Sequence, residues 1–195
     1  SLTRSTPTAL SVGRGFSAGA SVGNYALFGG GYGSSFSDVV DAYNTSLTRS
    51  TPTALSVGRM YLAGASVGDY ALFGGGLDGE FMFSTTVDAY NTSLTRSTPT
   101  ALSVARYDLA GVSVGDYVLF GGGTDNESIF TTVDAYNTSL TRSTPTALSA
   151  GRTALAGVSV GDYVLFGGGY GSSYMSSSDV VDAYNTSLTR STPTA

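Results

Sequence analysis

The chain has no cysteine, no histidine, no lysine and no tryptophan. Each absence removes a class of chemistry. Without Cys there is neither a disulfide framework nor a thiolate metal site, and the redox compartment stays open. Without His or Lys there is no imidazole base, no Schiff-base amine and none of the usual nitrogen ligands for zinc, so the many Ser and Thr hydroxyls lack a partner to activate them. No catalytic residue, cofactor or metal is expected. Long apolar runs are missing too: no stretch approaches the roughly 20 residues that cross a bilayer as a helix, and no signal peptide is recognisable, so no membrane partner is expected. The chain opens on Ser1 rather than Met, which reads as a processed or excised piece. All 9 positive side chains are Arg, and against 14 Asp and Glu they leave a formal charge of -5 and a pI near 4.4. Nucleic acid is an unfavourable partner for such a chain, because phosphate binding needs a basic stripe. Helical periodicity is also missing, and the composition, rich in Gly, Ser, Thr, Val and Tyr, favours strands.

What the chain does have is internal repetition. The stretch Tyr25-Ala26-Leu27-Phe28-Gly29-Gly30-Gly31 returns, with small changes, at 70–76, 117–123 and 163–169. An identical nonapeptide, Ser-Leu-Thr-Arg-Ser-Thr-Pro-Thr-Ala, stands at 1–9, 46–54, 93–101, 139–147 and 187–195. The period of about 45 to 48 residues suits a propeller blade, and no single copy can bury its own apolar strand. The expected organisation is one domain, 1–195, with an outer strand at 1–9 and repeat units at 10–54, 55–101, 102–147 and 148–195. In unit 1, residues 16–22 read as a small-residue first strand and Gly23-Asn24 as a primed hairpin turn. Residues 25–28 read as a second strand covered on both faces, 39–43 as the third, and 47–53, with Pro52, as an edge strand. The fold class is therefore all-β: a β-propeller of four-stranded antiparallel blades, four repeats per chain, with a stacked solenoid as the runner-up. The first strand, with its Ala18-Gly19-Ala20-Ser21 run, is expected to line the axis.

An Arg before the first strand, glycines closing the second and a Tyr in the third, as in Arg59, Gly74-Gly75 and Tyr90, resemble the kelch repeat over essentially the whole chain. Kelch repeats also carry a Trp in the fourth strand, where Leu47, Leu94, Leu140 and Leu188 stand here. That departure sets the chain outside the well-known kelch families, whose partners are not carried over. The resemblance implies a propeller that binds proteins or glycans, in some members with an oxidase or isomerase site.

Comparison of the units separates an unchanging frame from two variable stretches. One follows the Arg (15–17, 60–62, 107–109, 153–155); the other follows the glycines (32–38, 77–85, 124–131, 170–179). In an up-and-down blade both fall at the same end. The expected ligand-binding residues are Phe16, Tyr32, Phe36, Met60, Tyr61, Asp78, Glu80, Phe81, Phe83, Tyr107, Asp108, Asp125, Glu127, Phe130, Tyr170 and Tyr174. Rigid rings on Gly/Ser-rich loops give contact area at low entropic cost, whereas loop drift alone explains only the insertions. Asp41, Asp88, Asp134 and Asp182, with Arg14, Arg59, Arg106 and Arg152, recur in every unit and read as buried register pairs. Asp78 with Glu80, and Asp125 with Glu127, are ligand types for Ca²⁺ or a glycosidase pair, but two carboxylates per loop fall short of an EF-hand, and solvated acidic loops are preferred. The triple glycines precede no Lys or helix and are not a phosphate cradle. Asn44-Thr45-Ser46 and its copies satisfy a glycosylation sequon and also ordinary turn chemistry, which is preferred.

The expected function is a non-enzymatic module that recognises a protein or glycan through the variable face; the alternative is a structural or spacer array, natural or engineered, with no ligand of its own. The fifth nonapeptide is surplus in a closed ring, so the two terminal copies are expected to compete for one edge. Four units could close alone, form one eight-bladed ring as a homodimer, or belong to a longer array; the homodimer, with its shallower angle per blade, is preferred.

Overall fold

The computed structural model describes residues 4–171 and 176–193. Each unit forms one antiparallel four-stranded sheet in meander order. The first holds β1 (Ala18–Val22), β2 (Tyr25–Gly29), β3 (Val40–Asn44) and β4 (Arg49–Ser50). The second holds β6 (Ala63–Val67), β7 (Tyr70–Gly74), β9 (Val87–Asn91) and β10 (Arg96–Ser97), with a small ribbon of β5 (Arg59–Met60) and β8 (Leu77–Asp78) beside it. The third is β11 (Ala110–Val114), β12 (Tyr117–Gly121), β13 (Val133–Asn137) and β14 (Arg142–Ser143); the fourth is β15 (Ala156–Val160), β16 (Tyr163–Gly167), β17 (Val181–Asn185) and β18 (Arg190–Ser191). Gly23, at φ 51, supplies the positive dihedral that the β1–β2 turn needs.

The second strand runs one residue further than expected, to Gly29, and the third is shifted by one, to Val40–Asn44; two strand starts, those of the first and fourth, differ by two residues for a common reason. The first strand begins at Ala18 rather than Phe16, and the fourth shrinks to Arg49–Ser50, because Phe16 (φ 56) and Leu47 (φ 59) are left-handed. Asn44 fixes the second case: its Oδ1 accepts the N–H groups of Ser46 at 3.0 Å and Thr48 at 2.9 Å, closing the turn before the strand starts. Pro52 lies beyond the strand.

The sheets stack in chain order, with β1 beside β6, β6 beside β11 and β11 beside β15. The first strands are therefore the adjacent inner ones, and their glycines allow the approach: a Cβ on Gly111 would lie 2.9 Å from the Gly64 oxygen. The joint between sheets is a ring against a glycine. A Cβ on Gly29 would meet the Phe73 ring at 3.1 Å, one on Gly74 the Phe120 ring at 3.2 Å and one on Gly121 the Phe166 ring at 2.9 Å. The third glycine of each of the first three triplets bonds across the joint through its backbone. Gly31 N–H donates to the Arg59 oxygen of the next unit at 2.7 Å, as Gly76 does to Arg106 and Gly123 to Arg152, both at 2.9 Å.

Among the described residues no comparable packing joins β15 back to β1, so the stack is open at both ends. Coverage of both faces of the second strand accordingly holds in units 2 and 3 and fails in units 1 and 4. The expected outer strand at 1–9 is also corrected: residues 4–9 lie in no strand. They occupy the linker position ahead of unit 1, where Tyr43 Oη donates to the Thr8 oxygen at 2.8 Å, just as Tyr90 does to Thr53 at 2.7 Å. The edge of β17 is taken by β18, so the two terminal nonapeptides do not compete.

The recurrent Arg and Asp form buried pairs, as expected, at 2.8 Å for Arg14–Asp41, 3.0 Å for Arg59–Asp88, 2.8 Å for Arg106–Asp134 and 2.6 Å for Arg152–Asp182. The other carboxylate oxygen is held by the nonapeptide arginine, at 2.9 Å for Arg96–Asp88 and 2.8 Å for Arg142–Asp134 and Arg190–Asp182, with Arg49 at 3.7 Å from Asp41. A backbone N–H, from Ser11, Ser56, Ser103 or Ser149, completes each set. These triads tie third strand, fourth strand and incoming linker together. Removing one member of such a buried set leaves uncompensated charge and costs about 3–5 kcal/mol.

Candidate functional site

The two variable stretches of each unit pair with one another. Gly15 bridges Tyr32, β5 pairs with β8, Tyr107 bridges Thr124 and Thr153 bridges Tyr170, so both stretches lie on one face in every unit. At its centre the first stretch makes a second, inter-unit ladder. Tyr61 N–H donates to the Phe16 oxygen at 3.2 Å, Asp108 N–H to the Tyr61 oxygen at 3.1 Å and Ala154 N–H to the Asp108 oxygen at 2.9 Å. All four residues are left-handed, with φ 56, 55, 54 and 53 for Phe16, Tyr61, Asp108 and Ala154. Below them Leu62, Leu109 and Leu155 are buried, with Ser17 in the corresponding place of unit 1. These eight residues line a cavity of about 270 Å³.

Rings converge on this arc. Phe16 and Tyr61 have centroids 4.5 Å apart, Tyr61 and Tyr107 5.9 Å, and Phe83 stacks on Tyr107 at 5.7 Å with planes 13° apart. Tyr107 Oη donates to Asn126 Oδ1 at 2.5 Å. A second group lies further out, with Tyr32 edge-on to Phe36 at 5.3 Å and Phe36 to Phe81 at 5.5 Å. Burial raises the Asp108 carboxyl above its ordinary range. Eight of the arginines are committed to the triads, which leaves none of those eight to offset that effect.

The other expected residues divide. Met60 is half-buried in β5, and Phe130 accepts the Arg152 N–H through its oxygen, a frame contact. Tyr170 is exposed and joins neither ring group among the described residues; Tyr174 lies outside the described residues. Asp78 and Asp125 are engaged by their own turns. Asp78 Oδ1 accepts from Glu80 N–H at 3.0 Å and Met82 N–H at 2.9 Å, and Asp125 Oδ1 from Glu127 N–H at 3.1 Å and Ser128 N–H at 2.6 Å. Glu80 and Glu127 are exposed on different loops. Asn126, Met82 and Ala154 belong to the same face but escape a search for rings and charges. Asn126 and Ala154 could have been found by aligning the units, which puts Ala154 in register with Tyr61.

No family model matches the chain, and no curated protein matches it. Among solved structures, that of YjhT superposes with a TM-score of 0.76 over 96% of this chain and 67% of its own, at 14% identity. The likeness is one of fold. It extends over all four sheets, so the order and stacking of the units recur in a chain with little sequence in common.

Proposed function

We propose that the chain is a non-enzymatic binding module of kelch-like β-propeller type, which takes a protein or glycan ligand on its variable-loop face. The observation that carries this reading is the left-handed arc. A left-handed L-residue costs roughly 1–2 kcal/mol, and glycine would adopt the same dihedral without that cost. Glycine abounds in this chain, yet the four arc positions hold Phe, Tyr, Asp and Ala. The left-handed leucines of the outer turns offer an instructive contrast, because Leu94, Leu140 and Leu188 pack against core clusters. Phe16 remains 56% exposed, so core packing does not account for its retention. Strain kept for a side chain that the core does not need supports a role in recognition. The rings offer flat apolar faces, while Asp108 and the neighbouring loop carboxylates accept hydrogen bonds from hydroxyl or amine groups. The face is acidic, which suits neutral sugars or cationic segments.

The test is a glycan-array and pull-down comparison of the native chain with a variant carrying Phe16→Gly, Tyr61→Gly and Tyr107→Ala. Glycine at the first two positions keeps the backbone, so the variant should lose the ligand with its thermal midpoint unchanged within a few degrees. Retained binding, or a midpoint lowered by many degrees, overturns the assignment. A native chain that captures nothing in either arm is the result a spacer array would give.

A further inference from the structure

The two open ends of the stack are the two halves of its internal joint. In each joint one sheet contributes a Phe and the next-lower sheet the glycine slot, and one half of each is left over: Phe28 has no slot and is 39% exposed, while a Cβ on Gly167 would meet only Val181, at 3.7 Å. The same holds of the flanking contacts. Leu94, Leu140 and Leu188 share clusters with Tyr25, Tyr70 and Tyr117 of the preceding units, leaving Leu47 44% and Tyr163 49% exposed. Val22, Val67 and Val114 are 3%, 2% and 3% exposed, but Val160 is 64%. Around Phe28 the free face is an apolar groove of about 470 Å³, walled by Pro7, Leu10, Ala26, Tyr43 and Leu47. Backbone groups match as well, because the N–H of Gly169 and the oxygen of Arg14 occupy the positions that bond at all three internal joints.

We propose that these faces dock head to tail on a second copy of this chain, Phe28 of one seating against Gly167 of the other. Two such joints close eight sheets into one ring, at the upper end of the about four to eight blades that propellers use. The inference is independent of the ligand face. The contact is heterologous, and it terminates only because the second joint closes it. Two features depart from the match between the faces. The linker position ahead of unit 1, filled at an internal joint by the preceding unit's nonapeptide, is already held by the chain's own residues 4–9, so the nonapeptide that follows unit 4 is duplicated there. Leu62, Leu109 and Leu155 cover the second glycine of the triplet at the internal joints, with a Cβ on Gly30 lying 2.9 Å from Leu62, whereas the corresponding residue of unit 1 is Ser17.

Sedimentation equilibrium decides the matter. The native 19.8 kDa chain should give the mass of two chains. Phe28→Asp and Gly167→Leu should each give one-chain mass, with the thermal midpoint of the native chain diluted to single chains, and mixing the two should restore a weaker two-chain complex through the single intact joint. Ser17→Leu should tighten the native dimer about a hundredfold, about tenfold at each of its two joints, by burying two isobutyl groups. A one-chain mass for both the native chain and Ser17→Leu at the highest concentration overturns the proposal. So does a mass that grows without limit, or a dimer that Phe28→Asp abolishes and Gly167→Leu does not.

Discussion

Units 1 and 2 share the pentapeptide Tyr-Ala-Leu-Phe-Gly as their second strand, yet Phe28 is 39% exposed and Phe73 is fully buried. Units 3 and 4 share Ala-Gly-Val-Ser-Val as their first strand, yet Val114 is 3% exposed and Val160 is 64%. Identical sequence, in identical local structure, thus ends in opposite environments. The apolar pattern of one unit specifies a partner rather than a core, and the energy of burial belongs to the joint between units. Stability in such an array is a sum of modest unit terms and larger nearest-neighbour terms.

That contrast can be broken most directly with one substitution made twice. Phe120→Ala empties a filled joint and should cost about 3–5 kcal/mol in urea unfolding. Phe28→Ala, made at concentrations low enough to keep single chains, should cost well under about 1 kcal/mol, as a partly exposed side chain does. Equal costs at high dilution would mean that burial in this fold does not follow the joint.

Acid sharpens a second contrast, between a carboxylate in the frame and one in the arc. Burial alone would raise Asp41, but the hydrogen bonds from Ser11 and Arg14 prevail and hold it below its ordinary 3.8. Its ionised form therefore stabilises the fold above pH 3.8, and that contribution disappears as pH falls through the lower folded value. Asp108 is raised by burial, so its ionisation opposes folding at neutral pH, and the opposition fades as pH falls to 3.8. Asp41→Asn should destabilise at neutral pH and Asp108→Asn should stabilise, with the Asp108 difference vanishing in acid. Thermal midpoints recorded from pH 7 downward test both; a stabilising effect of Asp108→Asn that grew on acidification would reverse the assignment.

A further modest effect is expected in the arc alone. Ala154 sits at φ 53 with no ring to contribute, so Ala154→Gly should stabilise the chain by about 1 kcal/mol. A loss of stability would show that the left-handed turn is not strained there.

Much of the sheet order is legible in the sequence because it is written in local chemistry: Gly at a primed turn, short apolar strands, and a Tyr and an Asp returning in each third strand. The strand ends are not, since a left-handed Phe16 or Leu47 has no compositional mark and looks like a strand residue. The nonapeptide arginines are hidden for another reason: Ser-Leu-Thr-Arg reads as polar edge, whereas Arg96 reaches a carboxylate eight residues back across a hairpin. On the variable-loop face, aligning the units finds Phe16, Tyr61 and Asp108. Asp78 and Asp125 read as ligand groups although each is spent on its own turn, a use visible only once the loop geometry is known. The exposure of Val160 cannot be read at all, because it depends on a neighbour outside the unit.

The triads also shape how the chain meets a charged partner close to its surface. They enclose four arginines fully and hold four more with about a quarter of the side chain at the surface, as in Arg142 at 25%. Arg4 is the one arginine outside them, while ten of the 14 acidic residues stand outside as well. The field at a distance remains that of the formal charge of -5, but close to the surface the exposed carboxylates set a local negative potential, which in roughly 0.1 M salt reaches about 10 Å into solvent. Anions are turned away before contact, and cations are concentrated over both faces of the stack, with Asp69, Asp116 and Asp162 on the hairpin side balancing the loop carboxylates on the other.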